Sequence, residues 1–191
     1  MITLRYLKIS LLILLCSSQQ NMLFAQKQGT ALIDSLKEDI QTSNNDTAKA
    51  KTLSQLSLTI AGSDIDSALK YANECMEISK KAEWTKGVGL AYYALAFAKF
   101  RAADYTTSQQ YSLEAYNIAK GVNDKKNMAI ALRIIGWNND WLGYYSKALE
   151  NYFSALRLFE ETNDKRGIAS CYNSIGGVYY YTYDYSKAME Y

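Results

Sequence analysis

From about residue 46 onward, apolar side chains recur at spacings of three and four, in blocks separated by short turns rich in Gly, Asn and Asp. That spacing gathers the apolar positions onto one face of a helix. One block runs through Leu132, Ile135, Gly136 and Asn139, and the next through Ala148, Tyr152, Ala155, Leu158 and Phe159. Between them WLGYY supplies Gly143, a residue suited to ending a helix. Asp46, Asp124 and Asp164 stand ahead of such blocks. A short carboxylate there can accept from free backbone amides and favour the positive end of the helix dipole. The pattern predicts antiparallel helix pairs.

The pairs repeat. MAIALRIIGWNNDWLGYYSKALEN, from Met128, aligns with IASCYNSIGGVYYYTYDYSKAMEY, from Ile168, forty residues on. Gly136 falls on Gly176, and Tyr145, Ser146, Lys147, Ala148 and Glu150 fall on Tyr185, Ser186, Lys187, Ala188 and Glu190. The same step backwards sets VNDKKNMA over TNDKRGIA, and a further step sets SALKY over KALEN. Four copies begin near Ala50, Gly89, Ala129 and Ala169, spanning about 50–88, 89–128, 129–168 and 169–191. A fixed period of this size predicts stacked supersecondary units. Gly136, Gly176 and Ala96 on first helices, with Ala148, Ala155, Ala188 and Ala115 on second helices, are expected to let paired helices approach closely. The last copy stops inside its second helix, so the chain is read as the amino-terminal part of something longer.

Leu132, Ile135, Gly136, Ala148, Tyr152 and Ala155 together resemble the tetratricopeptide repeat (TPR) signature. Copy two keeps Tyr92, Leu95, Ala96 and Ala115 but has Ser108 and Ser112 where the signature has Ala and an aromatic; copy one is a residue short in its turn, AGSDID. The family's usual unit is about 34 residues and ends in proline. This one is forty and the chain has no proline. The added residues are expected to lengthen the second helix by more than a turn. The resemblance, over 46–191, implies an all-α fold: a TPR-type αα superhelix, a solenoid of antiparallel helix pairs, incomplete at the C-terminus.

It also implies a concave groove lined by first helices. The family's groove positions fall on Tyr93, Phe97, Phe100 and Arg101 in copy two, on Arg133, Trp137, Asp140 and Trp141 in copy three, and on Asn173, Tyr180 and Tyr181 in copy four. Aromatic rings with a few hydrogen-bonding groups suit an extended peptide or another helix. The competing expectation is that these rings pack between helices. Copy one offers Lys51, Ser54 and Leu58, and the basic and asparagine clamp by which some chaperone-binding members hold a terminal carboxylate is not reproduced.

The first 25 residues follow a different pattern. Arg5 and Lys8 precede the apolar run ISLLILL, and the segment turns polar before the small residue Ala25. These are the parts of a secretory signal peptide, with cleavage expected after Ala25. A lipid anchor on Cys16 is the lesser alternative, because Leu15 stands where that processing wants a small residue. Residues 26–45 are read as a capping helix and linker. Removing Arg5 and Lys8 from 21 basic residues leaves 19 against 19 acidic ones, so the mature chain carries no electrostatic footprint for nucleic acid or an anionic membrane. Membrane attachment is expected only through a downstream helix or a lipid.

Composition weighs against catalysis. The chain has no histidine, the commonest general base and metal ligand, and no glycine-rich phosphate loop; Gly176 and Gly177 lie inside a helix. No catalytic residue, cofactor or metal is expected. Asn45 opens an NDT glycosylation sequon by pattern alone. Cys75 takes the small buried position of Ala155, and four helices intervene before Cys171, which sets the two too far apart for a disulfide. Two functions are therefore expected as alternatives. One is an exported binding module for a protein or peptide. The other, from the resemblance to extracytoplasmic parts of bacterial membrane signalling proteins, is the sensor of a histidine kinase or helix-turn-helix regulator.

Overall fold

The computed structural model describes residues 29–191, which form helices joined by short turns. The segment 1–25 expected to be a signal peptide, with Cys16, lies outside the described residues. Helix α1 covers 29–42. It is followed by α2 (Asp46–Ile60), α3 (Ile65–Lys81), α4 (Thr85–Arg101), α5 (Tyr105–Gly121), α6 (Lys125–Trp141), α7 (Tyr145–Glu161), α8 (Lys165–Tyr181) and α9 (Tyr185–Glu190). Helices α4 and α5 are both 17 residues long, as are α6 and α7. The extra length is thus shared by both helices of a copy, whereas the sequence leads to the expectation that the second alone lengthens.

Each turn after α3 reverses the chain in three residues, and the middle one adopts a left-handed backbone. Glu83, Ala103, Asn123, Gly143, Asn163 and Tyr183 have φ between 51° and 78°. This lets a helix-terminal carbonyl accept from the amide five residues on, as Lys99 O does from Asp104 N at 3.0 Å. In four of these turns the residue that follows is an aspartate that caps the next helix, whereas Trp84 and Tyr144 make no side-chain cap; Asp64 caps α3 in the same way. Asp64, Asp104, Asp124, Asp164 and Asp184 each accept from a backbone amide of the first turn. For α2 the cap is Asn45, which accepts from Ala48 N at 2.9 Å, one place earlier than the Asp46 expected from the sequence, and Asp46 is the first helical residue.

Consecutive helices pack antiparallel, and α2, α4, α6 and α8 also touch one another in series. Among the described residues, second helices make no such contact with second helices. A stack joined along one layer and splayed along the other bends toward the joined layer. The first helices therefore form the inner, concave side. Leu36 of α1 covers the start of the stack, packing with Leu56, Ile60 and Ala61.

Small residues set the spacing. A Cβ on Gly136 would run into the Tyr152 ring, and one on Gly167 into the Phe159 ring. Gly176 is under less pressure, since its Cβ would come only to 3.4 Å from Ala188 O. Cys75 and Cys171 are fully buried and unbridged. Burial pushes both thiols up to about 11. In α5 the signature departures Ser108 and Ser112 are also fully buried, their hydroxyls donating to Ala96 O at 2.8 Å and Ser108 O at 2.7 Å. No helix among the described residues is long and apolar enough to cross a membrane.

Candidate binding groove

The concave face of α4 and α6 carries an aromatic cluster. Phe97 and Phe100 stand on α4 one turn apart, as do Trp137 and Trp141 on α6, so each pair shares a face. Across the gap the Phe97 and Trp137 ring centres lie 6.3 Å apart, Phe100 and Trp137 5.5 Å, and Phe100 and Trp141 6.5 Å. Tyr105, the first residue of α5, stacks on Trp141 at 6.0 Å with planes 18° apart. Sequence reasoning passed over Tyr105, although its equivalents Tyr145 and Tyr185 signal a recurrent aromatic at that place.

The two tryptophans have different surroundings. Trp137 is half-buried, and its indole N–H donates to Ser174 Oγ of α8 at 3.2 Å, tying α6 to the next copy. Trp141 is 67% exposed although it touches two rings. Packing between helices thus describes Trp137, and an open ring surface describes Trp141.

Arg133 lies a turn before Trp137. Its guanidinium sits over the Trp137 ring at 4.8 Å and near the Phe159 ring at 5.8 Å, a cation–π arrangement that holds it flat. Its Nε is buried with no protein partner. The charge reaches Tyr93 on α4, whose hydroxyl is pushed above its ordinary value by burial and drawn back by Arg133. Tyr93 itself borders a narrow crevice with Gly89, Ile118 and Val122, away from the ring cluster. Asp140 accepts from the Tyr152 hydroxyl at 3.5 Å; burial raises its carboxyl, and the tyrosine hydrogen bond opposes the rise.

The remaining positions lie at the two ends. Arg101 is exposed and faces Gly62 after α2. Asn173, Tyr180 and Tyr181 border a broad, shallow depression with Tyr185 and Met189 over α8 and α9, and Tyr180 packs edge-on against both Tyr181 and Tyr185. These rings make no contact with the α4–α6 cluster. The described residues contain no grouping of three or more His, Cys, Asp or Glu able to hold a metal ion.

The fold is that of TPR-type helical solenoids. Among solved structures the chain resembles a Rap protein complexed with competence and sporulation factor, with a TM-score of 0.77 and 21% identity over 87% of this chain and 48% of that one. It also resembles aspartyl phosphate phosphatase F from Bacillus subtilis, with a TM-score of 0.71 and 19% identity over 85% of this chain and 46% of that one. A third is a signal transduction ATPase with numerous domains and a tetratricopeptide repeat sensor, from Pyrococcus horikoshii, with a TM-score of 0.65 and 20% identity over 83% of this chain and 25% of that one. The chain spans less than half the length of each. No protein-family model and no curated protein matches the sequence.

Proposed function

We propose that the chain is a binding module that holds a protein or peptide segment against its concave face, outside the cytoplasm. The observation that carries this reading is the ring cluster of Phe97, Phe100, Trp137 and Trp141, flanked on the same helix by Arg133 and Asp140. Rings offer stacking area at little entropic cost, and the two charged groups can fix the direction of a bound backbone. The Rap structure, bound to competence and sporulation factor, supports a binding use of such a solenoid. The leader-like first 25 residues support export. Nothing in the site calls for a catalytic step.

The experiment is a random-peptide display on the immobilised protein, run in parallel with Trp141→Ala. Peptides retained by the parent and lost by an equally helical variant are expected, and equal retention by both removes the groove. Fusing residues 1–30 to a reporter tests export, and a cytoplasmic full-length product overturns it.

A second reading makes the same groove the sensor of a larger signalling protein. The likeness to an ATPase with a tetratricopeptide repeat sensor supports it. Reading the gene past Tyr191 decides: a span of about 20 apolar residues followed by a kinase or DNA-binding segment is the expected result, and further repeats ending in a stop overturn it.

A further inference from the structure

The junctions between successive copies are built alike, except one. Between copies one and two, Ala68 and Leu69 of α3 gather with Ala98 of α4 in one apolar cluster. Between copies three and four, Ala148 and Leu149 of α7 gather with Val178 of α8 in another. The forty-residue step puts Ser108, Gln109 and Asn138 at the same places between copies two and three, where α5 packs on α6. An apolar trio at two junctions is thus a polar trio at the middle one. The apolar core divides there as well: none of the three clusters draws on both α4 and α6.

The polar trio is left incomplete by the protein. Asn138 is fully buried, and neither its Oδ1 nor its Nδ2 has a protein partner. Gln109 Oε1 is also buried without one. The Ser108 and Ser112 hydroxyls have already given their protons to main-chain carbonyls, and only their lone pairs remain. Neighbouring Asn139 is satisfied, donating to Ile135 O at 2.9 Å. Leaving several buried amide atoms unpaired is costly, and native proteins meet such groups with ordered water. By the forty-residue register Ser112 stands where copy three has the phenol ring of Tyr152, and Ala96 where it has Gly136, so copy two fills these places with less side-chain volume.

We propose that the α5–α6 junction is an internal hydration site, with water held between the side-chain amides of Asn138 and Gln109 and accepted by the serine lone pairs. One water accepts from Asn138 Nδ2–H and donates one proton each to Asn138 Oδ1 and Gln109 Oε1, which spends both its protons, so the serine lone pairs are reached by a second water. The array then consists of two apolar blocks joined through a wet seam. On the concave side, copies two and three are bridged by the tilted, contacting rings of Phe97, Phe100 and Trp137.

The test uses the 191-residue protein with labelled side-chain amides. Nuclear magnetic resonance is expected to show a long-lived water cross-peak on the Asn138 Nδ2 protons, weakened or lost in Gln109→Leu. A direct Asn138–Gln109 contact with no water cross-peak overturns the proposal. Urea unfolding of Asn138→Val, Gln109→Leu, the double variant and the triple variant with Ser108→Ala supplies a second measure. The effect of Asn138→Val on the unfolding equilibrium is expected to differ about fivefold or more according to whether residue 109 is Gln or Leu, as groups in one hydrogen-bond network do. Independent, multiplying effects overturn it. The triple variant reproduces the Ala, Leu and Val of the third junction, so it remains a folded comparison if a single change unfolds the chain.

Discussion

The phenol ring of Tyr152 occupies the space where a Cβ on residue 136 would stand. Copy two solves the same contact the other way, with Ala96 opposite Ser112. Gly136→Ala alone is therefore expected to cost about 1–3 kcal/mol by overpacking. Tyr152→Ser alone should cost several kcal/mol, on the order of a large-to-small core change. The double change recreates the copy-two pair and should cost less than the sum. Additive unfolding energies from chemical denaturation would show that the two side chains do not oppose each other.

The turn residues predict a gain. Ala103 holds a left-handed backbone at φ 58° on an exposed turn, a conformation that costs an L-residue about 1–2 kcal/mol. Ala103→Gly should raise the thermal midpoint, less the entropy glycine gives up on folding. Gly143→Ala should lower it, because nothing lies within 4 Å of the new Cβ and only strain is added. Opposite signs from two exchanges of the same residues would be read directly in a melting curve.

Trp137 and Trp141 should separate stability from binding. Trp137 is half-buried, carries the Arg133 guanidinium and donates to Ser174, so Trp137→Ala is expected to cost up to about 3 kcal/mol. Trp141→Ala should leave the melt within about 1 kcal/mol of the parent and reduce peptide retention. Equal losses of stability would mean that Trp141 is packing and not surface.

Acid should loosen the helix starts before it touches the apolar core. The hydroxyls and amides of Ser67 and Thr107 hold the capping carboxyls of Asp64 and Asp104 below their ordinary value of 3.8, and the Lys126 and Lys187 ammoniums, with first-turn amides, do the same for Asp164 and Asp184. A depressed folded value means that the contribution is present above pH 3.8 and lost as pH falls through the lower folded values. Asp140 acts oppositely: its raised carboxyl favours the fold at low pH and loses that contribution as pH rises through its folded value. Asp164→Asn should flatten the acid limb of the stability profile, and Asp140→Asn should stabilise the neutral end.

Both thiols should be silent in the native protein. Cys75 and Cys171 are fully buried with values near 11, so a thiol reagent at neutral pH should react at the rate of unfolding. Rapid labelling before denaturation would contradict the packing of α3 and α8.

Much of the fold was legible along the chain because each copy repeats one local solution. Apolar spacing names the helices, Asp124 and Asp164 name caps, and Gly136 names a close approach of paired helices, since all are set within one helix pair. The forty-residue step even carried the groove positions onto numbered residues. It did not say which rings would be covered. Trp137 and Trp141 occupy one helix face and share one chemistry, yet Ser174 and Phe97 from neighbouring copies enclose the first while the second stays open. Tyr105 joined the cluster from a different helix, and Asn138 was buried without a partner because α5 came to rest against α6. Periodicity records how a side chain stands on its own helix. Exposure and satisfaction depend on what the next copy brings within a few ångströms, and only packing of the copies decides that.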